Sequence, residues 1–327
     1  MTIRNGSRQI APTQVTLAIE AWNARDLDDD DLFKRSLRSL ANQDYPIDQC
    51  QILVIVDASV RERDLEWILR DLPTATFIRF PNATYFRSKN RALDAATGAI
   101  VVFADSDVRY TPEWLQRILD TFHDDEVNLV VGKTMYEPGF LSGTQNLVDW
   151  AATRPHSGWT DWFYGNNLAV RRARFQDFRF REDLGPHGGG AVDIARHELR
   201  AAGIRPWYSA EAKGWHHLAP FTKKRLRIGG YQIHYRRLSP DTPWSWVVRV
   251  PALAPFFVTG GSLIKAYQRA WTLRKSLPGR GSSLPIYFVT MAGVKIIEFL
   301  GAAFISWAPS SMRTRVDWFT LPEQASS

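Results

Sequence analysis

Unbroken apolar runs alternate with amphipathic stretches along the first 135 or so residues. Val15–Ile19, Gln51–Val56, Thr76–Phe80, Ala99–Ala104 and Val127–Val131 read as strands. Between the first two, a helix with apolar positions Phe33, Leu37, Leu40 and Ala41 follows Asp28–Asp31, where carboxylates favour a helix N-terminus. Arg61–Leu72, Arg87–Ala96 and Glu113–Phe122 read as further helices. Strands that are apolar throughout are buried on both faces. The β-α alternation therefore predicts an α/β fold: a mostly parallel sheet with helices on both faces. Such sheets bind ligands at the carboxyl ends of their strands. The polar residues there are Glu20–Asn23, Asp57–Ser59 and Asp105–Asp107.

The pattern changes after residue 200. The stretch 223–237 gathers Lys223, Lys224, Arg225, Arg227, Arg236 and Arg237, and reads as helix on either side of Gly229-Gly230. Beyond it lie three uncharged runs, Val250–Ile264, Gly281–Val294 and Phe299–Met312, each closed by a charged residue. All fall short of the roughly 18–20 residues that cross a bilayer as a helix. They predict a basic, apolar, helical C-terminal extension that lies on or dips into a membrane face without spanning it. Trp244, Trp246, Trp271, Trp307 and Trp318 flank these runs, as interfacial aromatics do.

Charge sharpens the division. The formal net charge of +7 over 327 residues is the balance of two unlike halves. Residues 1–163 hold 17 Lys+Arg against 24 Asp+Glu, and residues 164–327 hold 24 against 10. A basic second half predicts an anionic partner: phosphates or anionic lipid heads. Nucleic acid is set aside, because no binding module surrounds the basic stretch and the segment after it is apolar. The single cysteine, Cys50, excludes a disulfide framework within the monomer and a four-cysteine zinc site. Residues 1–14 are polar and carry no secretory signal. The expected organisation is a polar tail at 1–14, a first half of the α/β region at 15–134, a second half at 135–238, and the helical extension at 239–327.

No G-x-G-x-x-G follows the first strand, and no P-loop occurs anywhere. What stands out is Asp105-Ser106-Asp107, directly after the most apolar strand. Two carboxylates at a buried strand end are costly unless something compensates them. A hard divalent cation, Mg²⁺ or Mn²⁺, does so and keeps room for substrate phosphates.

With these residues in view, the first 210 or so positions resemble a family 2 glycosyltransferase of the GT-A fold. The similarity runs through Val15–Asn23, Ser39–Pro46, Ile52–Ser59, Lys89-Asn90, Val102–Val108, Asn166–Arg172, Leu184–Gly190 and Leu199–Gly203. The resemblance implies a nucleotide-diphosphate sugar donor (a UDP- or GDP-sugar), a divalent metal and an inverting transfer to a glycan or lipid-linked acceptor. It implies that Ala21, Trp22 and Asn23 line the donor's base pocket, with Asp57 accepting a hydrogen bond from the base. Lys89, Asn90, Asp105 and Ser106 fall where the family contacts the donor. Asp105, Asp107 and His216 would form the metal shell, His216 being favoured over His217.

Two positions depart from the family pattern. Glu20 stands where Pro is frequent. The Glu-Asp pair that normally supplies the catalytic carboxylate reads Gly190-Ala191, which leaves Asp193 as the candidate base, with Glu182 and Asp183 as alternatives. A degenerate domain that binds nucleotide sugar or lipid without transfer is the competing reading. Acceptor choice is expected from Met135–Trp162, and the implied location is peripheral, at the cytoplasmic face of the plasma membrane.

Overall fold

The computed structural model describes residues 10–21, 30–137, 140–149, 154–182, 190–217, 221–241, 244–275 and 283–308. The chain divides into two compact units. The first takes Met1–Thr134, Pro155–Phe180 and Leu199–His216; the second takes Met135–Arg154, Arg181–Glu198 and His217–Ser327.

The first unit is built on a nine-stranded sheet among the described residues. Its strands are β1 (Val15–Glu20), β2 (Gln51–Asp57), β3 (Thr76–Phe80), β4 (Ile100–Asp105), β5 (Val108–Tyr110), β6 (Leu129–Tyr136), β7 (Gly158–Trp159), β8 (Asn167–Arg171) and β9 (Pro206–His216). The order is β3-β2-β1-β4-β8-β6-β9-β5, with β7 on β9. β3, β2, β1 and β4 run parallel. β8 then reverses against β4 and against β6, and β9 runs antiparallel to β5 and β7.

Helices flank the sheet: α1 (Asp30–Ala41), α2 (Ile68–Asp71), α3 (Tyr85–Ala95) and α4 (Trp114–Asp120). Alternate side chains of the parallel strands serve opposite faces. Leu17, Ile19, Ile52, Val54 and Val102 join Leu37, Leu40 and Ile118 in one core cluster. Leu53, Ile55 and Phe103 are equally buried outside that cluster, on the face where α3 packs on β1 and β2. At the amino end of the strands, Thr16 Oγ1 donates to Gln51 Oε1 (2.6 Å) and accepts from Gly98 N (2.9 Å). A Cβ at Gly98 would stand 2.6 Å from Thr16 N, so only glycine lets the chain enter β4 there. The expected helix over 61–72 is instead a 3-10 turn at Glu62–Asp64 and one helical turn, α2. Leu72 has ψ 76°, and Pro73 behind it disfavours a helical residue at that position.

The second unit is helical among its described residues, with α5 (Phe140–Val148), α7 (Phe221–Leu238), α8 (Ala254–Thr272) and α9 (Leu284–Trp307); α6 (Ala191–Ala201) begins in it. Gly229-Gly230 does not divide α7, which runs unbroken for 18 residues. A Cβ at Gly229 would meet Glu298 O at 1.8 Å, and one at Gly301 would meet Leu226 O at 1.9 Å, so the glycines let the backbones of α7 and α9 touch. Lys295 and Glu298 do not end apolar runs either. They lie inside α9, a single 24-residue helix long and apolar enough to cross a membrane by length and composition.

The charges that divide the apolar sequence are buried in this unit. Arg225 Nη1 pairs with Glu298 Oε1 at 2.8 Å, and Lys295 Nζ with Glu298 Oε2 at 2.6 Å. Arg225 also donates to Gln145 Oε1 (3.1 Å) and Asp149 Oδ2 (3.3 Å), and Tyr136 donates to Asp149 (2.9 Å). Burial works against the Arg225 cation, but Asp149 and Glu298 more than offset it and hold its pKa above the ordinary value. Burial likewise opposes the Asp149 carboxylate, while Arg225 and Lys224 pull its pKa below the usual aspartate range.

Candidate active site

Asp105 ends β4 at the carboxyl edge of the parallel strands, in register with Glu20 of β1. Both side chains are buried. α3 supplies the compensation. Lys89 Nζ lies 2.7 Å from Asp105 Oδ1, with the lysine side chain wholly inaccessible. Tyr85, one turn earlier on the same helix face, donates to Asp105 Oδ2 at 2.7 Å. The main chain is pinned too: Ser36 Oγ donates to Asp105 O (2.9 Å), and Asp105 N donates to Tyr110 Oη (2.9 Å). Burial pushes the Asp105 carboxyl above its usual range, and Lys89 pulls it back. Burial, reinforced by Asp105, raises the Tyr85 phenol well above its ordinary value, so Tyr85 stays a donor at neutral pH.

Asp107 is placed differently. Its Oδ1 is buried and has no hydrogen-bond partner among the described residues, while Oδ2 stands 3.4 Å from His216 Nε2. The β5–β9 pairing creates this meeting, because Val108 is the register partner of His216. The Ser106 hydroxyl beside it is also buried, with no partner among the described residues. Glu20, Asp105 and Asp107 all act on Tyr85 and Tyr110, so three carboxylates lie near one strand edge.

The residues present fit a divalent metal. Among the described residues, no three His, Cys, Asp or Glu form a ready cage. Mg²⁺ and Mn²⁺ do not need one, since they take one or two carboxylates and complete their shell with water and substrate phosphates. Asp107 and His216 offer an oxygen and a nitrogen. Both oxygens of Asp105 already accept from Lys89 and Tyr85, so it borders this pair as a fixed negative charge.

The remaining sequence candidates have defined places. Asp57 ends β2; Ser59 N and Oγ donate to its Oδ1 (3.0 and 2.6 Å), and Ala83 N donates to its Oδ2 (2.8 Å). It thereby ties the loops after β2 and β3 together. Asn90 makes a two-way bond with the Phe180 main chain, at 2.9 Å in each direction. Ala21 is buried and continues the β1–β2 ladder through Ile55 O. Trp22, Asn23 and Asp183 lie outside the described residues.

Asp193 belongs to the second unit, in the first turn of α6, 3.6 Å from Arg196. Burial raises its pKa, against the pull of Arg196 and Arg236. Gly190 before it has φ +88°, and a Cβ there would lie 2.4 Å from Tyr235 Cβ. An acidic side chain at 190 is sterically excluded by this packing, which accounts for one of the two missing family acids. Tyr85, Tyr110 and Ser36 were not among the sequence candidates. The i, i+4 spacing of Tyr85 and Lys89 is the signal that could have found the first of them.

The sequence model of "Glycosyl transferase family 2" matches residues 20–180, the segment that carries the β1 and β4 edges. The succinoglycan biosynthesis protein ExoM of Rhizobium meliloti (strain 1021) is 30% identical over 228 residues, covering 62% of this chain and 70% of its own. This chain belongs to glycosyltransferase family 2. The glycosyltransferase AglE of Haloferax volcanii is 24% identical to it over 245 residues, covering 69% of this chain and 76% of that protein. A crystal structure of S. aureus TarS 1–349 in complex with UDP covers 90% of each chain, with 14% identity and a TM-score of 0.49. As a glycosyltransferase of this family, the protein is an enzyme with the mixed α/β sheet of the GT-A type and an apolar C-terminal helix.

Proposed function

We propose that this glycosyltransferase is metal-dependent and inverting. It moves a sugar from a nucleotide-diphosphate donor, UDP- or GDP-linked, to a glycan or lipid-linked acceptor, in polysaccharide assembly at the cytoplasmic membrane face. The naming of ExoM for succinoglycan biosynthesis supports the polysaccharide part. One observation carries the chemistry: a buried carboxylate oxygen on Asp107, without a partner among the described residues, beside His216.

Asp107 and His216 would hold the metal, and Asp105 would be held rigid by Lys89 and Tyr85 next to the donor. Mg²⁺ or Mn²⁺ bound there supplies positive charge to the leaving diphosphate. Ala21, Trp22, Asn23, Asp57, Asn90 and Ser106 are the proposed surroundings of the donor. Asp193 is the proposed base that takes the acceptor proton. A carboxylate with a raised pKa is better matched to that task than an ordinary aspartate.

The test is donor turnover with and without Mn²⁺ after chelation. The reading expects turnover to vanish with EDTA and to return with Mn²⁺. Turnover indifferent to both would refute metal dependence. Asp193→Asn should lower kcat and leave donor affinity unchanged; a near wild-type rate would place the base elsewhere.

A further inference from the structure

Beside an apolar core that includes Met291 and Val294, α9 of the second unit also buries charge and exposes large apolar side chains. Along α9 the buried positions include Lys295, Glu298, Gly301 and Ala302, while the exposed ones are Ile286, Val289, Ile296, Leu300 and Trp307. Val289 is 70% exposed, although Glu298 on the same helix is 3% exposed. A helix folding in water does the reverse. The first half of α8 continues the apolar surface with Phe256, Phe257 and Ile264. Phe256 meets Phe299 edge-on (4.8 Å) and lies tilted to Trp307 (6.3 Å), which makes the two helices antiparallel neighbours together with the Tyr267 Oη bond to Phe288 O (3.1 Å). Even the exposed Trp307 indole spends its N–H on Pro251 O at 2.9 Å.

We infer that the outer face of α8 and α9 is solvated by lipid acyl chains, and that it lies in the plane of one leaflet of an anionic bilayer. The inference rests on the proposed membrane location and makes that location specific. Charge complementarity selects the occupant. Lys265 stands exposed on the second half of α8 and Lys275 in the turn that follows it, and Arg274 lies over Trp271 at 4.9 Å, an arrangement suited to lipid phosphates. The in-plane pose follows from α7. That helix touches α9 from Glu298 to Ile305, where Arg237 donates to Ile305 O, and it also carries Arg227 and Arg236. A spanning α9 would carry these cations into hydrocarbon. Lying flat, it keeps α7 on the aqueous side and buries only its apolar side.

Depth quenching tests this on the full chain. An environment-sensitive fluorophore is placed at Val289→Cys, Ile296→Cys or Leu300→Cys, or at the exposed Gln176→Cys of the first unit as the polar control. Cys50 does not compete, because it is buried and burial, reinforced by Asp48, pushes its thiol up to about 12. With vesicles of 70% phosphatidylcholine and 30% phosphatidylglycerol, the three apolar sites should blue-shift. Lipids brominated at graded depths should quench them to one common shallow depth, and the control should stay wet. Depths that change monotonically across the midplane from 289 to 300 would mean a span and overturn the in-plane pose. Dry labels without lipid, together with self-association, would make the face a contact between copies and overturn the lipid assignment. Labels that stay wet with vesicles present would overturn it as well. The double variant Lys265→Gln/Lys275→Gln should lose roughly tenfold in affinity for the anionic vesicles; unchanged affinity would overturn the headgroup contact. No arm reads sugar transfer, so these failures leave the enzymatic reading standing.

Discussion

The two units solve the burial of charge in opposite ways. In the first, an apolar core of alternating strand residues runs to the strand ends, and charge is admitted only at the carboxyl edge around Asp105. There Lys89 and Tyr85 satisfy Asp105, while Asp107 Oδ1 has no partner among the described residues. In the second unit, charge sits inside as close ion pairs, Arg225 with Asp149 and Glu298 and Lys295 with Glu298. The outer surface there is what remains unsatisfied. An unmatched polar group marks a ligand site in one unit, and an unmatched apolar face marks a solvent other than water in the other.

The comparison breaks most sharply at Glu298. Glu298→Leu leaves Arg225 and Lys295 buried without their shared partner, and should cost about 3–5 kcal/mol of stability. Removing the whole set (Arg225→Met, Glu298→Leu, Lys295→Met, Asp149→Asn) should recover most of that loss, because apolar replacements of similar volume carry no desolvation penalty. Thermal unfolding in lipid reads both variants. Equal losses in the single and the quadruple variant would mean that packing, and not unpaired charge, dominates this interior.

Next comes Asp107→Asn, which should separate activity from stability. No chain hydrogen bond to Oδ1 is lost, so the melting temperature should stay within a degree or two of wild type. Transfer should fall about a hundredfold to a thousandfold, the usual scale for removing one group that stabilises developing charge. A parallel drop in melting temperature would show Asp107 to be a structural residue instead.

How far the sequence revealed each region follows from the same contrast. β1 to β4 could be read from their apolar runs because strands buried on both faces need no polar interruption. β5 has three residues, and β9 mixes Glu211, Lys213 and Trp215 into its pattern, so neither showed a period. The approach of His216 to Asp107 depends on their pairing, which no local pattern encodes. Lys89 and Asn90 were found as positions, but their partners, Asp105 and Phe180, come from the tertiary fold. α9 was divided at Lys295 and Glu298 on the assumption that charge faces water. Once Arg225 is seen opposite them, the division disappears.

Gly301→Ala probes the helix contact with a smaller effect. The added methyl would need α7 to retreat from Leu226 O, at a cost of about 1–3 kcal/mol. Gly293→Ala, where nothing lies within 4 Å, is the matched control on the same helix and should be neutral or slightly stabilising. A loss at 301 no larger than at 293 would mean that the close backbone approach is not what positions α9.

The smallest effect belongs to the far end of the first unit's sheet. Thr16→Val removes the hydroxyl that donates to Gln51 Oε1 and accepts from Gly98 N. It should cost about 1 kcal/mol, the net value of a typical hydrogen bond, with some addition from the Gly98 amide left behind. Thr16 lies at the amino end of β1, and Glu20, four residues on, closes it beside Asp105. The loss should therefore appear in denaturant midpoint alone, with donor affinity and turnover unchanged. A drop in turnover at unchanged stability would contradict the division of the parallel sheet into a structural amino edge and a functional carboxyl edge.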